Sequence, residues 1–141
     1  MRFVLDTDHL TILERGGAPA AKLERKLLTM PAEDLFTTVV SYDEQMRGWL
    51  AEVARATSIN RVVQCYERLE LNLALFCDAQ LLPFDTAAAD RFQALRRGGV
   101  RIGTMDLRIA SIALVQDATI VTRNLRDFEQ VPGLTVENWC D

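Results

Sequence analysis

Short apolar runs that stop abruptly on a polar residue alternate along this chain with longer stretches of helical period. Phe3 to Leu5 is a strand-like run ended by Asp6. Leu35 to Thr37 is a second, followed from about Val39 by a helix on which Val39, Met46, Trp49, Leu50 and Val53 recur at helical spacing. Tyr66, Leu69, Leu73 and Phe76 recur in the same way in the next segment, which leads to Leu81 and Leu82 as a third strand or strand edge. Pro83 and Asp85 punctuate the chain; Asp85 is placed to cap a helix running toward Arg97, and Gly98 and Gly99 stop that helix. Another helix begins at Thr104 or Met105 and carries Ile109, Ile112 and Ala113 on one face. Thr119 to Thr122 reads as a buried β-branched strand, and Pro132 and Gly133 turn the chain into a last strand near Leu134 to Val136. This order predicts the α/β class, with a mostly parallel sheet covered by helices on both faces. No internal repeat interrupts it.

Composition narrows the picture. With 141 residues, 49% of them hydrophobic, the chain carries enough apolar material for one core and is expected to form a single domain. No apolar run approaches the roughly 18 residues a membrane span needs, and the opening Met-Arg-Phe-Val-Leu is too short for a signal peptide, so a cytoplasmic location without membrane association is the expectation. Cys65, Cys77 and Cys140 are odd in number and lack a CxxC spacing, which predicts neither disulfides nor a zinc site; Cys65 and Cys77 are expected to be buried thiols. The net charge of −4 is not that of a simple nucleic-acid binder. The basic residues are lopsided, however, with fourteen arginines against Lys22 and Lys26, and arginine's planar fork of donors suits phosphate.

The acids change the reading most. Asp6, Glu44, Asp106 and Asp127 each stand at a switch from apolar to polar sequence, and in an open parallel sheet ligands bind beyond the carboxyl ends of the strands. Asp6 sits at such an end and Asp127 closely follows another. Glu44 falls about one turn into its helix and Asp106 in the first turn of its own, where a carboxylate also interacts favourably with the helix dipole. Singly, each is explained as a cap or dipole partner. Together, without matched lysines, they repel: two carboxylates ~4 Å apart at an effective dielectric of ~20 cost roughly 4 kcal/mol. A hard divalent cation removes that cost, and an all-oxygen donor set selects Mg²⁺ or Mn²⁺ over zinc. Gly48, four residues after Glu44, is expected to leave room for another element to approach.

Four segments together resemble one known family: Phe-Val-Leu-Asp6-Thr-Asp8, Glu44-Gln-Met-Arg-Gly48, Ile102-Gly-Thr-Met-Asp106-Leu-Arg-Ile-Ala110, and Val121-Thr122-Arg-Asn124-Leu-Arg-Asp127-Phe128. Their order and spacing are similar to those of PIN domain nucleases, and within them the VapC-type toxins of toxin–antitoxin pairs, over nearly the whole chain. The resemblance implies a single PIN domain over residues 1–141 with a three-layer α/β fold, acting as an endoribonuclease dependent on Mg²⁺ or Mn²⁺. Asp6, Glu44 and Asp106 would be its core acids. Either Asp127 or Asn124 would complete the set, and Asp8, Thr104 and Thr122 would lie in support or against substrate. It further implies RNA as substrate, a cognate antitoxin as partner, with Val39 to Phe76 forming part of the antitoxin's groove, and a homodimer.

Metal held by such acids would activate water and polarise a phosphate, while Arg123 and Arg126 are placed in sequence to hold the RNA backbone. Tyr42 is either a stacking platform or core. His9 is the only histidine, which leaves little for Ser-His-Asp or Cys-His catalysis; no glycine-rich phosphate loop is present, and a phosphoacceptor receiver domain would need a lysine beyond Lys26. The alternative is a catalytically silent PIN-like module that uses its acids to bind a protein partner or RNA.

Overall fold

The computed structural model describes residues 1–141. Five strands, β1 (Phe3–Leu5), β2 (Leu35–Thr38), β3 (Leu81–Leu82), β4 (Thr119–Val121) and β5 (Val136–Glu137), form one sheet in the order β3-β2-β1-β4-β5. Every pairing is parallel, with Val4 opposite both Phe36 and Ile120. The helices are α1 (Thr7–Arg15), α2 (Ala18–Leu28), α3 (Val39–Arg55), α4 (Ile59–Asp78), α5 (Thr86–Arg97), α6 (Thr104–Val115) and α7 (Leu125–Phe128), with a 3-10 turn at Ala32–Asp34 before β2.

Alternation along the strands produces the layers. Val4 and Ile120 point into one core with Val40, Ala88, Ile109, Ile112 and Phe128. Phe3, Leu5 and Val121 point into a second with Leu10, Leu23, Phe76 and Trp139. Both sheet faces are therefore buried, as parallel strands require. The expected elements form, with Asp85 capping α5 by accepting from Ala88 N at 3.0 Å. Strand β5 lies one to two residues later than its apolar content suggests. Its position is set by pairing, with Val136 opposite Ile120.

Two sequence readings are refined by the structure, and one helix is added to them. The periodic set on α4 is displaced from the buried stripe: Phe76 is buried with Cys65 and Asn72, whereas Tyr66 and Leu73 lie about a quarter-turn round the helix and are half-exposed. Cys77 follows that outer margin and is exposed, whereas Cys65 is buried. Helix α2 carries too short a periodic pattern to stand out. Its signals are the pair Gly16 and Gly17, at φ +75° and +87°, and Pro19 in its first turn. No helix is long and apolar enough to cross a membrane.

Candidate active site

The chain runs outward from β1 to β2 and β3, then returns to lay β4 on the other side of β1. The crevice between β1 and β4 is thus the point where strand order reverses, and the first residues past those strands, Asp6 and Thr122, are neighbours there. Asp6 N donates to Val121 O at 2.9 Å, extending the ladder by one bond and fixing the direction of its side chain. Oδ1 accepts from Thr7 N at 2.8 Å, so Asp6 is the cap of α1 as well as a site residue. Oδ2 accepts from Thr122 Oγ1 at 2.8 Å, and the same hydroxyl lies 3.0 Å from Asp8 Oδ2.

Hydroxyls and amides link the remaining acids. Thr7 donates to Glu44 Oε1 at 2.8 Å and lies 2.9 Å from Ser41 Oγ. Asn124 Nδ2 donates to Asp127 Oδ2 at 3.0 Å and to Asp106 Oδ2 at 3.3 Å. Asn124 N in turn donates to Thr122 Oγ1 at 3.0 Å, which ties the α7 end of the site to the β1 end. Asn124 thus bridges Asp127 and Asp106.

No salt bridge reaches Asp6, Glu44, Asp106 or Asp127. The arginines near carboxylates serve others: Arg47 pairs with Asp43, Arg55 and Arg61 with Glu52, and Arg123 with Asp141. The electrostatic consequence is consistent across the site. Burial, then the charges of Asp8 and Asp106, push Asp6 up to about 7 against the opposing bonds from Thr122 and Thr7; Asp6 is 4% exposed. Burial and the neighbouring acids also raise Glu44 and Asp106. Asp8 is different. Burial pushes it up, but bonds from His9, the Arg123 amide and Thr122 together hold it below the ordinary carboxylate range.

Asp8 is the link to the C-terminus. Its Oδ1 is 2.9 Å from His9 Nδ1, and Trp139 N donates to His9 Nε2 at 3.3 Å. Because a backbone N–H occupies Nε2 as acceptor, Nδ1–H is the donor to Asp8. His9 is fully buried and structural, as a lone helix-borne histidine is expected to be.

The donor set fits a hard divalent cation: oxygen only, without a paired base, with charge that the chain leaves uncompensated. No three of the acid, imidazole or thiol groups are already close enough together to hold an ion. The expected cage is thus an open arrangement, its carboxylates linked through Thr122, Thr7 and Asn124.

Other expected residues fall elsewhere. Thr104 starts α6, but its hydroxyl accepts from Arg96 at 3.1 Å and does not touch the acids. The Arg123 guanidinium is occupied by Asp141 at 2.8 Å, and only its backbone reaches the site, whereas Arg126 is exposed with its charge unpaired. Tyr42 packs edge-on against Phe76 with centroids 5.1 Å apart and is core. Gly48 corrects an expectation, since a Cβ built there would meet nothing within 4 Å. It opens instead onto a cleft of about 630 Å³ that begins at Glu44 and Thr7 and runs between α1, α3 and α4 past Trp49. A glycine inside a helix costs roughly 0.5–1 kcal/mol against alanine, and here no packing offsets it.

Thr7, Ser41 and Glu14 were not singled out by sequence. Thr7 and Glu14 share a face of α1 at a spacing of seven, the only sequence signal that could have found them. Thr122→Val is expected to leave the fold intact and to lower kcat/KM by roughly 10–100-fold, the usual effect of removing a group that orients a ligand. Steady-state cleavage assays check this.

The PIN domain family model matches residues 3–134. The "tRNA(fMet)-specific endonuclease VapC" of Salmonella typhimurium is 38% identical over 65 residues, which is 43% of this chain and 49% of that protein. The chain therefore aligns with about half the length of that relative. "Ribonuclease VapC1" of Haemophilus influenzae is 26% identical over 139 residues, covering 99% and 98% of the two chains. Among solved structures, VapBC-1 from nontypeable Haemophilus influenzae superposes with a TM-score of 0.76 at 21% identity over the whole of both chains, a likeness that speaks for the fold. With the matching residues running from β1 to the segment before β5, and with the acids at its switch point, the chain belongs to the PIN domain family.

Proposed function

We propose that this chain is a divalent-metal-dependent endoribonuclease, the toxin of a toxin–antitoxin pair, and that its whole length acts as a single PIN domain. The observation that carries the reading is the set of carboxylates at the switch point, Asp6, Glu44 and Asp106, all raised in pKa and none balanced by lysine or arginine. Similarity to proteins named as ribonucleases and as an endonuclease supports it.

Asp6, Glu44 and Asp106, with Asp127 beside them, would hold Mg²⁺ or Mn²⁺, which when bound supplies a Lewis acid for the phosphate and a water of lowered pKa. The chain's own residues do the rest. Thr122 and Thr7 each donate to one oxygen, Oδ2 of Asp6 and Oε1 of Glu44, and so fix the orientation of these carboxylates, while Asn124 ties Asp106 to Asp127. Asp127, with one oxygen engaged by Asn124, would use the other to orient water. Arg126 is free to hold the RNA backbone, while Arg123 reaches phosphate only on releasing Asp141.

The silent-module reading is weaker, because the acids at the switch point form an oxygen-only set with no paired base, which suits a divalent cation, and the similar curated proteins are named as a ribonuclease and an endonuclease. Purified chain should cleave structured RNA with Mn²⁺ and not in EDTA. A chain free of contaminating nuclease that leaves RNA intact under both conditions contradicts the proposal. The partner reading has a separate test. Expression alone should arrest growth, and the product of the adjacent gene should co-purify with the chain and relieve the arrest; the cytoplasm is the compartment where this would occur. If the neighbour neither binds nor relieves, the toxin reading fails and the nuclease reading survives. The homodimer expected from the resemblance is checked by light scattering of the purified chain.

A further inference from the structure

We propose that the cleft beside Glu44 is a nucleobase pocket, in which a guanine of single-stranded RNA stacks on Trp49 and offers its donor edge to Glu14. The inference rests on the ribonuclease reading and names the part of the substrate that is recognised.

The lining is the first argument. Trp49 is the one hydrophobic residue among the eleven that line the cleft. A groove for an amphipathic peptide helix presents a row of aliphatic side chains. A flat aromatic face above polar groups is the arrangement by which unpaired bases are stacked and read. Arg15 and Arg68 also line the cleft, and neither is in an ion pair, so both are available to the phosphates on either side of the base.

The second argument is a fixed row of hydrogen bonds under the lining. Asn72 is 2% exposed and its Nδ2 donates to Glu14 Oε1 at 2.9 Å and to Gln45 Oε1 at 3.0 Å. Gln45 Nε2 donates to Thr11 Oγ1 at 3.0 Å. Glu14 is thereby held in one orientation, with Oε2 accepting no bond from the chain. A positioned carboxylate accepts two parallel N–H bonds. Guanine alone among the four bases carries two adjacent donors, N1–H and N2–H, on its Watson–Crick edge.

The third argument is the space itself. Gly48 stands in mid-helix with nothing within 4 Å of where a Cβ would be, so any side chain there would project into the cleft. Thr7 and Glu44 belong to both the cleft and the acid site, which puts the recognised base in a nucleotide next to the scissile phosphate.

Nucleoside 5′-monophosphates titrated in EDTA test this through Trp49 fluorescence, with Trp49→Phe as control because Trp139 is buried. GMP is expected to quench at least tenfold more tightly than AMP, CMP or UMP. Glu14→Gln should lose the preference, and Gly48→Leu should lose the quench. With Mn²⁺ and random-sequence single-stranded RNA, the wild type should cut beside guanine. Glu14→Gln should cut without that bias, and Gly48→Leu should raise KM about tenfold with kcat within a few-fold. Equal quenching by all four nucleotides, or a cleavage pattern unchanged in both variants, overturns the pocket and leaves the nuclease standing. Guanine-selective binding by a chain that cuts nothing in Mn²⁺ supports the pocket while the nuclease reading fails. If Gly48→Leu loses only the neighbouring gene's product, with nucleotide binding intact, the cleft is a protein dock and the proposal is wrong.

Discussion

Asp6→Asn, Glu44→Gln and Asp106→Asn are each expected to abolish RNA cleavage while the protein stays folded. Each exchange removes a charge with almost no change of volume and keeps an oxygen on the same branch. For Asp6 that oxygen still accepts from Thr7 N, so the cap of α1 survives. For Glu44 it still accepts from Thr7 Oγ1. The loss should exceed the roughly 10–100-fold that follows from disturbing an outer partner of a metal ligand. Asp127→Asn should cost less, because Asn124 lies against both Asp127 and Asp106 and can take up part of its role. Cleavage rates of the purified variants, with circular dichroism as the check on folding, decide the matter. Wild-type rates in any of the first three would remove that acid from the site.

A second large effect concerns stability in EDTA. The folded pKa of Asp6, about 7, lies above the ~3.9 of an unfolded aspartate, so the native state binds this proton more tightly than the unfolded chain. The stability it contributes is therefore complete below about pH 4, declines as pH rises through the window, and is gone above pH 7. At 1.36 kcal/mol per unit the loss is roughly 4 kcal/mol, and Glu44 and Asp106 add to it in the same direction. Asp8, held low, works oppositely, its contribution being lost as pH falls through its folded pKa. Asp6→Asn should consequently melt several degrees higher than wild type at pH 8 in EDTA and lose that advantage toward pH 4. The more active protein would thus be the less stable one, a common trade. Parallel melting curves across this range would show that Asp6 is not strained.

Much of the site is legible in the order of residue types, for a physical reason. A buried parallel strand is mostly apolar and β-branched, so a charged residue marks its end, and Asp6 after β1 stands out from the residue pattern alone. Thr122 does not, because threonine is β-branched like the rest of β4 and reads as one more strand residue. Helix starts add Asp106 and, by turn counting, Glu44. What could not be read is how distant residues hold these groups. Trp139 bonds His9 across 130 positions, and Thr122 meets Asp8 across 114. Arg123 reads as a phosphate ligand until Asp141 takes it. Helix α4 misleads differently. Its apolar residues spread over a broad arc, and the buried stripe is partly polar, with Asn72 between Cys65 and Phe76, so periodicity alone includes Tyr66 and Leu73 at the half-exposed margin of the arc. Gly48 is the opposite case, a glycine whose sequence reading is close packing and whose surroundings are open.

The central claim is that Asp6, Glu44 and Asp106 form one shared divalent site. Melting of wild type and Asp106→Asn with and without Mn²⁺ at neutral pH tests it most directly. A ligand bound to the native state alone stabilises by about 2.7 kcal/mol at a hundredfold excess over Kd, so Mn²⁺ should raise the wild-type melting temperature well beyond that of the variant. In EDTA the order should reverse, with Asp106→Asn melting above wild type. If Asp106→Asn instead melts lower in EDTA and Mn²⁺ shifts both proteins equally, the acids are capping and pairing in separate places and no shared site exists.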